Sequence, residues 1–151
     1  ELDGPATQYY ESGSLKEEFI NRKGKIEGKY RIYFENGATA AILNYLNGRA
    51  VSSVEYLESG VETSNLTFTY KKGGTLKTGF QRQFFDTGEL SWEFSYKDGK
   101  MTSAIQYYNG GNLSKEVSFK DGKAVKGTSY TFEGVKTPMT NAHFHNNNLP
   151  Y

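Results

Sequence analysis

Apolar and polar residues alternate along much of this chain, and residues 79–100 show the pattern most clearly. In that stretch Leu90, Trp92, Phe94 and Tyr96 alternate with serine and glutamate. Turn sequences bound the alternation, Asp-Thr-Gly on one side and Asp-Gly on the other. Alternation with a period of two between such turns predicts a β-hairpin with one apolar face.

The same two-strand unit recurs along the chain. Two aromatic residues, or Tyr56 and Leu57 in the third unit, precede a turn that ends in Gly. An alternating strand follows, and a second turn Gly comes 11 residues later in four of the five units. Such fixed-period similarity indicates a repeat protein. We therefore predict an all-β fold, a single-layer antiparallel meander of stacked β-hairpin repeats with roughly eleven strands. The predicted array covers residues 1–134, with units at about 4–27, 28–51, 52–78, 79–102 and 103–126, a half-unit at 127–134, and a C-terminal cap or tail at 135–151.

Each unit is expected to bury one row of side chains. The residue six positions after the first turn Gly is always apolar, which predicts an inner row of Phe19, Leu43, Leu66, Phe94 and Val117. If most turns are type I turns followed by a Gly bulge, the first aromatic residue of each pair shares this inner face and the second points to the other face. A two-residue turn would exchange the two sets.

The third unit departs from the pattern. Its second turn comes late, within residues 71–74, which indicates a small insertion. Glu62 and Ser64 occupy positions that the alternation assigns to apolar residues, and this predicts a locally open inner face.

Composition limits the possible functions. The chain has 151 residues, 36% hydrophobic and 15% aromatic, so aromatic burial must replace much of the usual aliphatic packing. A net charge of +1 gives no general attraction to nucleic acid or to anionic membranes. Without cysteine the chain has no disulfides, thiol catalysis or cysteine-based zinc sites.

Few residues suggest chemistry. His143 and His145 form a His-x-His pair, but zinc needs three or four ligands, so we predict no metal site and no cofactor. Acidic residues in the predicted turns, Glu11, Glu35, Glu58 and Asp86, are explained by turn propensity, and we predict no catalytic residues. The basic residues Arg22, Lys23, Lys25, Lys29 and Arg31 could form a phosphate or lipid-headgroup site, although Glu17, Glu18 and Glu27 lie close in sequence.

Rows of aromatic residues are the candidate binding surface. They could stack on a ligand or simply stabilise a single-layer sheet, and both readings stay open. The candidate residues are Tyr9, Tyr10, Tyr33, Phe34, Tyr56, Phe84, Phe85, Tyr107 and Tyr108.

The unit resembles a known repeat. The segments YYESGSLKEE, YFENGATAA, FFDTGELSWEF and YKDGK are similar to the bacterial variant of the MORN repeat, and the resemblance covers about residues 4–134. It implies a stacked hairpin sheet without enzymatic activity, acting as a scaffold or as a protein or lipid contact surface. Many bacterial relatives carry an antitoxin label, and a lipid-kinase label would be inherited from the repeats only.

The leading hypothesis is a non-catalytic module that contacts an unknown protein partner through a tyrosine-rich face or a sheet edge. The alternatives are an antitoxin-type protein that neutralises its partner, and lipid or membrane-surface binding. Because the first residue is Glu1 rather than Met, a removed leader and a shortened chain are both open. An envelope or secreted location is favoured over a cytoplasmic one. Residues 135–151 are expected to be ordered and to cap the last hairpin near Tyr130 and Phe132.

Overall fold

The computed structural model describes residues 3–140, and these form strands joined by turns, without helix. The described segments therefore include no helix that could cross a membrane. Ten of the strands are flanked by a turn on each side, and the first and last strands are each flanked by one turn. The strands are β1 Gly4–Tyr9, β2 Leu15–Arg22, β3 Lys25–Tyr33, β4 Thr39–Leu46, β5 Arg49–Tyr56, β6 Glu62–Lys71, β7 Gly74–Phe84, β8 Leu90–Lys97, β9 Lys100–Tyr107, β10 Leu113–Lys120, β11 Lys123–Tyr130 and β12 Lys136–Pro138.

Strand order in the sheet follows chain order from β1 to β12, and the strand pairs are antiparallel. This confirms the predicted all-β meander of hairpin repeats, with twelve strands rather than about eleven. The extra strand, β12, pairs with β11 through residues 136–138 and begins inside the predicted C-terminal cap. Pro138 is tolerated there because it lies in an edge strand. Residues 141–151 of the predicted cap, with His143 and His145, lie outside the described residues.

Turns of two kinds alternate along the chain. In the first kind Gly13 N donates to Tyr10 O and Tyr10 N donates to Ser14 O, both at 2.9 Å, which is the predicted type I turn with a Gly bulge. The second kind is a two-residue turn, and in four of its five described instances both residues have positive φ, such as Asn47 at 53° and Gly48 at 77°; Lys72 of the β6–β7 turn does not. Positive φ at both positions defines a type I′ turn, whose twist matches that of the flanking strands.

The predicted assignment of aromatic residues to faces was wrong. Tyr33 pairs with Thr39 while Ile32 pairs with Ala41, so Ala40 is an extra residue after the turn. The register shifts at the corresponding place in the β1–β2, β5–β6 and β9–β10 hairpins, whereas the short β11–β12 hairpin pairs without a shift. Because a shift of one residue exchanges the faces, Tyr33 lies on the face opposite Leu43.

The predicted inner row is buried at Leu66, Phe94 and Val117, whereas Phe19 and Leu43 are half-buried. Small residues lie beside the buried members. Phe94 pairs with Ala104, Ala104 with Val117, and Val117 with Gly127. Phe94, Ala104 and Val117 are at most 5% exposed. Small neighbours on the odd-numbered strands allow the large side chains to cover them, so one layer of strands buries its own apolar row. We call this side of each unit the apolar face.

The insertion in the third repeat lengthens strands and leaves the turn short. β6 has 10 residues and β7 has 11, against eight in most strands, and the turn between them has two. β7 contains Gly79 at φ +133°, where an added Cβ would lie 1.9 Å from the backbone oxygen of Asn65. β3, with nine residues, likewise contains an internal glycine of positive φ, Gly28.

The chain divides into two compact units, Glu1–Gly79 and Phe80–Tyr151. In the first unit the apolar face carries an aromatic stack, because Tyr30 occupies a position where the pattern elsewhere has a small residue. Its ring lies 4.9 Å from that of Phe19 and 5.9 Å from that of Tyr45, and its hydroxyl donates to Glu17. Ser64, predicted to mark an open region, is buried at 2% exposure.

Candidate interaction surface

The nine candidate aromatic residues all lie at the end of the strands that carries the Gly-bulge turns. Five belong to the first unit (Tyr9, Tyr10, Tyr33, Phe34 and Tyr56) and four to the second (Phe84, Phe85, Tyr107 and Tyr108). Tyr9 is 61% exposed, and the other eight are half-buried. The candidate residues are therefore accessible at one end of each unit, with part of every ring except that of Tyr9 used in packing.

Tyrosines in the turns tie each repeat to the next. The hydroxyl of Tyr10 donates to the backbone oxygen of Tyr33 at 2.6 Å, and that of Tyr108 donates to the backbone oxygen of Tyr130 at 2.8 Å. The ring of Tyr108 also meets Phe132 edge-on at 5.7 Å. Where the turn residue is Phe34 or Phe85 there is no hydroxyl to donate. Tyr10 and Tyr108 therefore serve the packing of the array, and less of their polar surface is left for a partner.

Tyrosines at the strand ends are held by carboxylates of the preceding repeat. In the first unit the hydroxyl of Tyr33 donates to Glu18 at 2.8 Å, and the guanidinium of Arg31 contacts the same carboxylate oxygen at 2.8 Å. These two hydrogen bonds, that of Tyr33 first, lower the pKa of Glu18. Burial and the bond to Glu18 raise the pKa of Tyr33. At neutral pH the cluster thus consists of a carboxylate, a phenol and a guanidinium.

The second unit contains two related groups, one with the tyrosine–glutamate hydrogen bond and one with the arginine–glutamate ion pair. The hydroxyl of Tyr130 donates to Glu116 at 2.8 Å, and this bond, with burial, raises the pKa of Tyr130. Glu93 forms an ion pair with Arg82 at 2.7 Å. Burial and the charge of Glu93 raise the pKa of Tyr107. We call this side of each unit the Tyr–Glu face, defined by Glu18, Arg31 and Tyr33 in the first unit and by Arg82, Glu93, Tyr107, Glu116 and Tyr130 in the second.

The carboxylates and Tyr130 were missing from the residues proposed from sequence. Glu18, Glu93 and Glu116 each lie five residues after the Gly of their bulge turn, where the second and third repeats have Ile42 and Asn65. Tyr130 lies four residues before Gly134, the same position as Tyr33 and Tyr107. Both positions recur in the sequence, but the contact between them depends on the register of β2 with β3 and of β10 with β11, and each of these registers contains a shift of its own.

Shallow recesses lie beside two of these clusters, at equivalent positions of the repeat. One of about 270 Å³ in the first unit is lined by Thr7, Glu18, Ile20, Lys29 and Arg31 together with edge residues of β1. In the second unit a recess of about 230 Å³ is lined by the corresponding Ile105, Glu116, Ser118, Lys126 and Thr128 and their neighbours. Each holds one carboxylate and at least one cation, so the surface offers mixed polar contacts of both signs.

The other candidates from sequence are not brought together into a catalytic or metal site. Glu11, Glu35, Glu58 and Asp86 lie exposed in four separate turns. Within residues 3–140 no three acidic or histidine side chains are grouped closely enough to hold a metal ion. His143 and His145 lie outside that range, so the prediction that they bind no metal stays a prediction. Of the basic residues, Arg31 pairs with Glu18, and Lys29 lines the first recess.

Comparison with known families identifies three of the repeats. The family described as MORN repeat variant matches residues 2–20, 26–47 and 102–121. Repeats of this family are in general protein or membrane interaction modules and are typically non-catalytic. No curated protein matches the chain.

Proposed function

We propose that this chain is a non-catalytic interaction module that binds a protein partner through its Tyr–Glu face. The matched MORN-type repeats support an interaction role. The observation that carries the proposal is the set of tyrosines whose hydroxyls are held by glutamates of the preceding repeat, Tyr33 by Glu18 and Tyr130 by Glu116. These bonds fix accessible rings in one orientation.

Fixed tyrosines are effective binding groups. A tyrosine supplies a large contact area with few rotatable bonds, so little conformational entropy is lost when it is covered. A ring that is already held by a hydrogen bond loses still less. Arginine and tyrosine are also enriched among the residues that dominate binding energy at protein interfaces, and Arg31 and Arg82 lie in the same clusters as Tyr33 and Tyr107.

The charge of this face favours a protein partner over an anionic lipid surface. Arg31 is paired with Glu18 and Arg82 with Glu93, and the chain as a whole carries only +1. Adsorption to anionic lipid requires an excess of cations on one face, with each added Lys or Arg contributing about 1 kcal/mol. Paired charges of both signs suit a partner whose surface also carries both signs.

Site-specific photocrosslinking tests the proposal. A photoreactive phenylalanine analogue is placed at Tyr33 or Tyr107, and at the exposed Val125 as a control, in cells that make the protein. Crosslinked partners are identified by mass spectrometry, purified and titrated calorimetrically against Tyr107→Ala, Arg31→Ala and Val125→Ala. Truncation of a dominant interface residue weakens binding by tenfold or more, and we expect this for Tyr107→Ala.

The variants also separate binding from stability. Tyr33→Phe removes the hydrogen bond to Glu18 and keeps the ring, so it should lower stability by about 1 kcal/mol with a smaller effect on affinity than Tyr33→Ala. If each purified partner binds Tyr107→Ala and Arg31→Ala as tightly as the unmodified protein, while Val125→Ala loses affinity, the Tyr–Glu face is not the binding surface.

A further inference from the structure

A recess of about 430 Å³ surrounds the β4–β5 turn of the first unit. It lies at the end of the strands opposite the Gly-bulge turns and is separate from the Tyr–Glu clusters. We call it the turn recess, and its lining residues are Lys25, Leu46, Asn47, Arg49, Val51 and Tyr70. Leu46 is 56% exposed and Tyr70 is 39% exposed, so the recess combines two cations with accessible apolar surface.

Lys25 forms one wall of the turn recess. Gly28 pairs with Tyr45, and the same register carried three residues further places Lys25 opposite Gly48. The aliphatic stem of Lys25 accordingly lies across the turn, with its Cβ 3.3 Å from the position that a Cβ on Gly48 would occupy.

The insertion in the third repeat supplies the other wall. Ser52 pairs with Thr67, and the lengthened β6 carries this register on to Tyr70, opposite Arg49. The ring of Tyr70 lies 5.3 Å from the guanidinium of Arg49, and its hydroxyl donates to the backbone oxygen of Ala50 at 2.6 Å. Arg49 is therefore held over an aromatic ring, with its hydrogen-bond donors available.

The charge in the turn recess is unbalanced. Within residues 3–140 neither Lys25 nor Arg49 has a carboxylate at ion-pair distance. The neighbouring turns of the unit, on each side of the β4–β5 turn, add more cations. Carboxylates lie near these turns as well: that of Glu27 accepts a hydrogen bond from Asn47 N at 2.8 Å, and that of Asp3 accepts one from Lys23 N at 3.3 Å. The added cations are Arg22, Lys23, Lys71 and Lys72.

The second unit shows what a balanced version of this position looks like. Lys100 follows the turn Gly, as Arg49 does in the first unit. The residue across from it is Asp121, and the two form an ion pair at 2.7 Å. In the first unit Tyr70 stands where this carboxylate would be, so the charge of Arg49 is left for a ligand.

We propose that the turn recess binds an acidic segment of a partner protein. Carboxylates of the segment would contact Lys25 and Arg49, and an apolar side chain between them would pack on Leu46 and Tyr70. This proposal deepens the proposed function, because it names the chemistry of the partner. It rests on the proposed function in one respect: both require a protein partner. Charge-assisted contacts of this kind weaken as salt is added.

The test uses a defined probe. The probe is a fluorescein-labelled ten-residue peptide with Glu or Asp at alternate positions and Leu or Phe at two others, and its control carries Gln and Asn at the acidic positions. Binding is measured by fluorescence polarisation at low and physiological salt, and the site is located from amide shifts of the labelled protein. We expect binding to the acidic peptide only, with shifts at residues 46–51.

Matched variants make the test specific. Arg49→Ala and Lys25→Ala should each weaken binding by about fivefold, the upper range for one exposed charge contact, while Lys100→Ala should leave it unchanged. Tyr70→Asp should weaken it most, because it places a carboxylate beside Arg49 as Asp121 does beside Lys100. Circular dichroism and the melting temperature establish that each variant is folded.

Several outcomes would overturn the proposal. These are equal binding of the amide control, an equal loss with Lys100→Ala, or shifts confined to other residues. Binding to phosphatidylserine vesicles in place of the peptide would show that the recess is a membrane contact instead. The Tyr–Glu face is tested separately, by photocrosslinking at Tyr33 and Tyr107. Failure of the peptide to bind would therefore not contradict the proposed function, and failure of the crosslinking would not contradict binding of an acidic peptide in the turn recess.

Discussion

Replacement of Phe94 by alanine tests whether a single layer of strands buries a stabilising apolar row. Phe94 is 5% exposed, so truncation forfeits most of the free energy gained by burying its ring, about 1.5–3 kcal/mol. The ring also stacks on Trp92 at 5.4 Å and 10°, which adds about 0.5–1.5 kcal/mol. Water and neighbouring side chains can enter the vacated space, so no large cavity term is added, and we expect a loss of about 3 kcal/mol.

Urea denaturation measures this loss. Trp92 is the only tryptophan, so its fluorescence reports on the second unit beside the mutated residue, while circular dichroism reports on all strands. Disagreement between the two signals would show that the units unfold separately, as repeat arrays can. Val125→Ala is the matched control, because Val125 is 58% exposed and should change stability by no more than about 0.5 kcal/mol. A loss below about 1 kcal/mol for Phe94→Ala would refute the burial argument.

Two further predictions concern the first unit. Gly79→Ala should lower the free energy of unfolding by more than about 2 kcal/mol, because an added Cβ would lie 1.9 Å from Asn65 O at φ +133°. The control Gly88→Ala, at φ +86° with open space around it, should lower it by only about 1–2 kcal/mol. Equal losses in denaturant unfolding would contradict the close contact at Gly79. The lowered pKa of Glu18 gives it a stabilising effect that is complete above the ordinary value of 4.5 and is lost as pH falls through the folded-state value. The difference in unfolding free energy between the natural protein and Glu18→Gln should therefore shrink below about pH 4.5, and a pH-independent difference would rule this out.

The repeat pattern was enough to predict the fold and the buried row. Alternation fixed which residues form strands, and Phe94 and Val117 could be placed in one row because they hold the same position relative to the turn Gly. Both predictions depend on local sequence and a constant period, which pairing between neighbouring strands preserves.

The candidate site was only partly predictable. The face on which Tyr33 lies relative to Leu43 depends on the extra bulge residue Ala40. Alanine also occurs in ordinary strand positions, so the sequence does not mark Ala40 as a bulge residue. The bond between Tyr33 and Glu18 joins residues 15 apart and follows from the register. The turn recess needs the strand extension that places Tyr70 opposite Arg49, whereas the sequence showed only that a turn came late.

Strand lengths in this protein obey a parity rule. Of the ten strands between two turns, eight have an even number of residues, and the two odd ones, β3 and β7, each contain an internal glycine of positive φ, Gly28 or Gly79. When an even number of residues is added to a strand, the side chains beyond the addition keep their original face of the sheet. When an odd number is added, they keep it only if one further residue forms a bulge, which interrupts the alternation. A hairpin of this array can therefore be extended by residue pairs to build new recesses, whereas a single-residue extension needs a further bulge residue, which is a glycine in β3 and β7 and Ala40 in β4.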